Sequence, residues 1–162
     1  MSTSSLALRA TGPRGYRADM SVTASKTVTL NVPMQQVLDT IRDVAGQKDW
    51  WPGTISSEVL ETDAEGRPTR ARLVNDVKVA KDEFELDYVH SDTGMSWTLV
   101  APSKAQKAQT GSWQLTDKGG STEATVTLDV DSSLPLPGFV QKKVIGDTLK
   151  GATAGLKKHL GG

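Results

Sequence analysis

Three polar side chains interrupt an otherwise apolar alternation, and they are the residues best suited to act on a small molecule. Asn75, Tyr88 and His90 fall in the same alternating phase as their apolar neighbours in the sequence. A polar group that faces a protein interior costs free energy unless it has a hydrogen-bonding partner. These side chains are therefore candidates to orient a bound ligand, and Tyr88 or His90 could also transfer a proton.

Each of these side chains also has a structural interpretation. Asn75 and Tyr88 could hydrogen-bond to the backbone or to a buried water. His90 stands at the end of a predicted strand beside Ser91 and Asp92. That position favours an exposed place at the rim of the fold over a role as a catalytic base.

The sequence lacks the motifs of the common hydrolases and nucleotide-binding enzymes. It has no cysteine, which excludes a cysteine enzyme. With two histidines and no HExxH motif it does not resemble a zinc hydrolase, and it has no GxSxG motif of a serine hydrolase. A phosphate-binding loop requires a lysine directly after its second glycine. The segment GDTLKGAT lacks that lysine. Glu83, Glu85 and Asp87 alternate to the outward phase, so no inward carboxylate pair is available. We assign no catalytic residue, no metal and no cofactor.

Composition limits the partners. Lys plus Arg and Asp plus Glu both total 19 in 162 residues, so no global field attracts nucleic acid. No run approaches the ~20 apolar residues of a membrane span, and no apolar signal-peptide core is present. We expect a cytoplasmic monomer or dimer without stable membrane insertion.

Residues 1–19 lack periodicity and are predicted to be a disordered extension of a domain over residues 20–162.

Strand-like alternation dominates the middle of the chain. Residues 26–32 alternate with period two, and residues 54–131 contain six further strand-like runs. Turn residues separate these runs at 63–68, 80–82, 91–94, 102–105 and 117–121. One phase is mostly apolar and the other polar, which predicts an antiparallel sheet with one side in water. Gly111, inside a regular run, suggests a bend or bulge.

Helical periodicity occurs at three places. Residues 33–44 and 46–53 form two short helical segments between the first two strands. A long C-terminal helix is predicted over residues 138–160, with an apolar stripe at Ile145, Leu149, Ala152 and Leu156. The predicted fold class is therefore α+β, with a curved seven-stranded antiparallel sheet wrapped on that helix.

Three segments in this order carry a resemblance to a known superfamily. They are VPMQQVLDTIRDVAGQKDWWPG, EVLETDAEGRP and GSWQLTDKGGSTEATVTLDVD. With the predicted elements they resemble the helix-grip superfamily of START domains, Bet v 1 allergens and polyketide cyclase/dehydrase-like proteins, over about residues 23–160. The chain looks most like the small bacterial members of that group.

The resemblance implies a cavity between the sheet and the C-terminal helix that holds a lipid, a polyketide or another hydrophobic compound. A bent sheet and one helix also leave space on physical grounds, because they cannot interdigitate along their whole length. The alternative is that the bulky side chains fill a dry core. The candidate ligand-binding residues are Trp51, Leu73, Asn75, Phe84, Leu86, Tyr88, Trp97, Trp113, Phe139, Val140 and Lys143.

The last helix has two further features. Lys143, Lys150 and Lys157 recur every seven residues, a spacing that fits a solvated helix face or a weak surface for anionic lipid. Gly151 and Gly155 are four residues apart, which permits close approach to another backbone or loosens the helix.

Three functional hypotheses follow. The first is a non-catalytic binder or carrier of a small hydrophobic molecule. The second is an aromatase or cyclase that folds a poly-β-keto chain by shape and moves a proton through Tyr88 or His90. The third is a coenzyme or partner chaperone that docks on a protein through its sheet face or its lysine-bearing helix.

Overall fold

The computed structural model describes residues 21–77 and 80–162. Within those residues, seven strands and two α-helices appear in the predicted order, with a short 3-10 helix over Val44–Asp49. The strands are β1 Val22–Leu30, β2 Thr54–Thr62, β3 Pro68–Asp76, β4 Lys81–Ser91, β5 Gly94–Leu99, β6 Gln106–Asp117 and β7 Thr122–Ser132. The helices are α1 Met34–Arg42 and α2 Gly138–His159. The prediction for residues 1–19 lies outside the described residues.

All seven strands form one antiparallel sheet in the order β1-β7-β6-β5-β4-β3-β2. The first two strands therefore lie at opposite edges, and the connection between them crosses the inner face. The predicted alternation is confirmed on β4, where Phe84, Leu86 and Tyr88 are buried and their neighbours are more exposed. This α+β architecture is the helix-grip fold.

Gly111 has a different role from the predicted bulge. Its pairing with Trp97 on β5 and with Leu128 on β7 runs in continuous register. The irregularity of β6 lies instead between Gln106 and Ala108. Gly111 is needed because a Cβ there would stand 2.3 Å from two ring atoms of Trp97. The missing side chain therefore makes room for an indole.

The crossing connection is held by short-range backbone bonds. Pro33 caps α1 through its carbonyl, which accepts from the Gln36 and Val37 amides. The helix ends at Arg42, two residues before the predicted end, because Asp43 leaves the helical conformation and its side chain accepts from the Gly46 amide at 3.2 Å. The second helical segment thus begins at Val44 rather than at residue 46.

Helix α2 covers the inner face of the sheet along β1 and β7. Its predicted stripe is confirmed, since Ile145, Leu149, Ala152 and Leu156 are all buried. Burying each leucine of this stripe stabilises the fold by about 2 kcal/mol. Within residues 21–77 and 80–162, no helix has the length and apolar character needed to cross a bilayer.

Candidate functional site

All four tryptophans of the chain meet beneath the sheet. The ring centroid of Trp113 lies 6.0 Å from that of Trp50 and 6.3 Å from that of Trp51. The ring centroids of Trp51 and Trp97 are 6.4 Å apart. The Tyr88 ring extends the group, at 6.5 Å from Trp97. All of these pairs are edge-to-face or tilted, arrangements in which aromatic rings attract each other. We call these five residues the aromatic cluster.

The two tryptophans that follow the 3-10 helix are both buried, with 6% exposure for Trp50 and 8% for Trp51. The Trp50 carbonyl lies against Gly155 of α2, and the Pro52 ring lies against Gly151. The predicted close approach to another backbone is confirmed at Gly155, whereas Gly151 meets the side chain of Pro52. The pair of tryptophans is consequently fixed between the sheet and α2.

The Tyr88 hydroxyl has no hydrogen-bonding partner among the described residues, although the side chain is 5% exposed. Burial alone raises the pKa of Tyr88 well above its ordinary value. The phenol therefore stays protonated at neutral pH and offers both a donor and an acceptor to a group that comes within reach. An unpaired buried hydroxyl costs about 1–3 kcal/mol.

Asn75 is the second buried polar group without a full set of partners, since its Oδ1 makes no hydrogen bond among the described residues. It pairs in register with Asp82, which is six residues from Tyr88 along β4. At about 3.3 Å per residue the two positions are roughly 20 Å apart along the strand. Asn75 and Tyr88 therefore cannot bind the same polar atom.

His90 is half-buried, and its Nδ1 is shielded from solvent. Its Nε2 lies 2.5 Å from the Pro68 carbonyl oxygen, and Nδ1 has no partner in the described part of the chain. Because a carbonyl can only accept, Nε2 carries a proton and Nδ1 is an acceptor in the neutral ring. Nearby, Arg42 donates to the Ser91 carbonyl at 2.7 Å. His90 is thus anchored to the sheet rather than free at the rim.

A buried polar chain that the sequence interpretation missed leads away from the aromatic cluster. Trp97 Nε1 donates to Gln109 Oε1 at 2.7 Å, and Gln109 donates in turn to Gln106. Gln106 Nε2 donates to Asp82 at 3.1 Å. The same carboxylate accepts from Ser103 Oγ and from the Ala105 amide.

Asp82 is 1% exposed and belongs to β4, although the sequence placed it in a turn. It shares the inward phase of Phe84 and Leu86, and that phase was the signal that could have identified it. With three donors around it, this carboxylate holds the connection between β5 and β6. It also brings a charged group close to the Asn75 end of the interior.

The predicted ligand-binding residues divide into two groups. Those on the sheet and after the 3-10 helix lie together in the interior, each at most 8% exposed except Asn75: Trp51, Leu73, Asn75, Phe84, Leu86, Tyr88, Trp97 and Trp113. Those on α2 do not join them. Phe139 is 78% exposed, Val140 is half-buried, and Lys143 is exposed and paired with Asp147 at 2.9 Å. Their side of the helix is turned away from the stripe that packs on the sheet.

Two of the grooves on the surface of the described residues border the strands and helices of the site. One of about 410 Å³ lies between α1 and the turn that joins β2 to β3. The other, of about 480 Å³, lies between the outer faces of β3 and β4 and the β5–β6 connection, and it reaches Phe84. The interior side chains are packed together, so a ligand that enters the aromatic cluster must separate them. In the described part of the chain, no group of three or more metal-ligating side chains is arranged to hold an ion.

Comparisons with known proteins agree with this fold. The model of the family "Polyketide cyclase / dehydrase and lipid transport" matches residues 21–161. A START superfamily protein from Mycobacterium smegmatis is similar in structure with a TM-score of 0.79 at 24% identity, over 85% of this chain and 96% of that one. A search of curated proteins found no match.

Two further solved structures show the same architecture. The Zhui aromatase/cyclase from Streptomyces sp. R1128 has a TM-score of 0.74 at 15% identity, over 86% of this chain and 93% of that one. A STAR-related lipid transfer protein from Xanthomonas axonopodis has a TM-score of 0.66 at 17% identity, over 85% of each chain. Since these identities are below 25%, the likeness concerns the fold. By the family match over residues 21–161, this chain belongs to the polyketide cyclase / dehydrase and lipid transport family.

Proposed function

We propose that the chain binds and carries a small hydrophobic molecule between the sheet and α2. The molecule has an apolar body, which contacts the aromatic cluster together with Leu73, Phe84 and Leu86. It has at least one polar atom, which hydrogen-bonds to the Tyr88 hydroxyl. Family membership supports this class of ligand.

The observation that carries the proposal is the unpaired Tyr88 hydroxyl among aromatic rings. A tyrosine used only to fill space would be replaced at no loss by phenylalanine, which avoids the cost of burying the hydroxyl. A ligand carbonyl or hydroxyl that hydrogen-bonds to the Tyr88 hydroxyl offsets the cost of burying it. Tyr88 thereby sets the direction in which the ligand lies.

The surrounding side chains suit an apolar body. Trp97 pairs with Tyr88 across the β4–β5 ladder, and Leu86 is the next inward residue on β4. Aromatic faces and edges adapt to either a flat ring system or an acyl chain. Asn75, about 20 Å farther along the strand direction, is a second proposed contact for a ligand long enough to reach it.

Tryptophan fluorescence tests this proposal, because all four indoles of the chain lie in the aromatic cluster. We expect a long-chain fatty acid, a sterol or a polycyclic quinone to shift the emission of the wild-type chain. Tyr88→Phe should weaken binding about two- to tenfold for a ligand with a polar group at the contact. It should leave binding of the matching hydrocarbon unchanged.

The matched control is Val89→Thr. Val89 follows Tyr88 directly but is 68% exposed on the other face of β4. This variant should bind every ligand as the wild type does. Equal loss in Tyr88→Phe and Val89→Thr, or no loss in either, contradicts the proposed contact.

A second candidate function is an aromatase or cyclase that acts on a poly-β-keto chain. The observation that favours it is that Tyr88 and His90 are two residues apart on the inward phase of β4, and each has an unpaired buried polar atom. In this mechanism the interior shape folds the chain, and a proton moves between the substrate and these groups. Unchanged conversion of a candidate substrate by Tyr88→Phe and His90→Ala rejects this function.

A further inference from the structure

Helix α2 carries an excess of positive charge in a chain that is neutral overall. It contains five lysines and one aspartate, so its net charge is 5 − 1 = +4, whereas the whole chain has 19 basic and 19 acidic residues. All five lysines are exposed: Lys142, Lys143, Lys150, Lys157 and Lys158. The basic charge of α2 therefore lies on its solvent side.

An exposed apolar tip adjoins these lysines. Phe139 is 78% exposed in the first turn of α2, and Leu136 just before the helix is 38% exposed. Phe139 and Lys143 are four residues apart and lie side by side on the helix surface. Successive steps of seven residues then place Lys150 and Lys157 along the same row.

This row is turned away from the sheet. At 100° per residue its members lie about 80–160° around the helix from the buried Ile145 and Leu149, on the flank and the solvent side of α2. The apolar stripe of α2 is buried on the sheet, so the part that a membrane would meet is the exposed Phe139 with the neighbouring lysines. An exposed aromatic side chain beside basic residues suits an interface with anionic headgroups. We call Phe139, Lys143, Lys150 and Lys157 the basic face.

The outer face of β2, β3 and β4 has the opposite charge. Arg72 is surrounded by Glu58, Glu83 and Glu85 at 3.5–3.6 Å, and Arg70 pairs with Asp87 at 2.7 Å. Acidic residues outnumber the two arginines there. Because this surface lies on the far side of the sheet from α2, an anionic surface attracts α2 and repels the sheet. The charge distribution thus orients the molecule.

We propose that the basic face docks the protein reversibly on bilayers that contain anionic lipid. Phe139 enters the interface between headgroups and acyl chains, and the lysines bind the headgroups. This inference goes beyond the proposed function, since it names the surface from which an apolar molecule is taken or to which it is delivered. It does not depend on a ligand being bound inside.

Vesicle flotation tests the inference with the full chain. One set of vesicles consists of phosphatidylcholine alone, and the other contains phosphatidylcholine and phosphatidylglycerol in equal parts. We expect binding to the anionic vesicles that weakens as salt is added, and little binding to the neutral ones. Absence of binding to anionic vesicles, or equal binding to both kinds, overturns the proposal.

Three variants separate the parts of the basic face. Phe139→Ser should weaken binding to anionic vesicles about tenfold, from the loss of apolar burial. Lys150→Ala together with Lys157→Ala should weaken it by about fivefold for each lysine. Val89→Ser is the matched control, because Val89 is similarly exposed at 68% but lies on the outer face of the sheet. A loss in Val89→Ser equal to that in Phe139→Ser overturns the proposal.

A second copy of the chain is the main competing occupant of this surface. Sedimentation velocity without vesicles identifies it. A wild-type chain that dimerises, becomes monomeric on Phe139→Ser and does not float with anionic vesicles assigns the basic face to self-association and overturns the proposal. Since the flotation assay contains no interior ligand, failure of the proposed ligand binding leaves its outcome unchanged.

Discussion

The backbone of Gly155 on α2 lies against the carbonyl oxygen of Trp50, so closely that a Cβ at position 155 would stand 2.0 Å from that oxygen. The contact joins the C-terminal helix to the crossing connection at the point where Trp50 enters the aromatic cluster. The separation between α2 and the aromatic rings is therefore set by the absence of one side chain.

The contact predicts opposite effects for two glycines of the same helix. Gly155→Ala should lower the free energy of unfolding by about 1–3 kcal/mol, because the helix or the Trp50 backbone must shift. Gly146→Ala should raise it by about 0.5–1 kcal/mol, because Gly146 has open space around it and alanine favours the helix. Urea denaturation measures both. Equal effects in the two variants contradict the close contact.

Gly111→Ala tests whether the Trp97 ring packs over Gly111. A methyl group at Gly111 meets the Trp97 ring at 2.3 Å, so the indole must turn and lose its hydrogen bond to Gln109. We expect a loss of about 1–3 kcal/mol in the free energy of unfolding and a red shift of tryptophan emission. An unchanged emission spectrum would show that Trp97 does not lie over Gly111.

Asp82→Ala should be among the most damaging single changes in the chain. It leaves Ser103, the Ala105 amide and Gln106 without their acceptor, and we expect a loss of about 3 kcal/mol. Asp92→Ala is the control, since Asp92 is exposed and its removal should change stability by about 0.5 kcal/mol or less. Thermal unfolding of the two variants provides the comparison.

Tyr88→Phe should stabilise the ligand-free protein by about 1 kcal/mol, because it removes an unpaired buried hydroxyl. At this chain length the midpoint of thermal unfolding should rise by about 2–4 °C. A fall in the midpoint would indicate that the hydroxyl has a partner in the ligand-free state.

The raised pKa of Tyr88 gives a pH dependence with a definite sign. The folded state holds the phenol neutral above 10.0, the ordinary tyrosine pKa, whereas the unfolded chain ionises there. The contribution of Tyr88 to the free energy of unfolding is therefore fully present below that pH, and it is lost as the pH rises above it. In a Tyr16→Phe background Tyr88 is the one tyrosine left, and phenolate absorbance should appear only as the chain unfolds.

Much of the fold could be predicted from local patterns. The alternation on β4 identified Phe84, Leu86 and Tyr88 as inward, and the stripe at Ile145 and Leu149 identified the buried side of α2. These features need only the phase of neighbouring residues. The close approach at Gly155 could also be anticipated, from the spacing of two glycines.

The site was less accessible to sequence reasoning. The helical phase of the buried stripe leaves Phe139 and Lys143 outside the side of α2 that packs on the sheet, yet both were expected to line the interior. Asp82 was assigned to a turn from the residue types around it, although it shares the inward phase of β4. Its hydrogen bonds to Ser103 and Gln106, which lie 21 and 24 residues away, could not be predicted. Long-range hydrogen bonds of this kind leave no periodic signal in one sequence.

Native mass spectrometry of the chain purified from cells without detergent tests the central claim most directly, since a carried ligand adds its mass to the protein. The account predicts one apolar molecule per folded chain, released when the chain is denatured and taken up again from an organic extract. Recovery of the bare protein mass, with no uptake from extract or from the ligand panel, contradicts it.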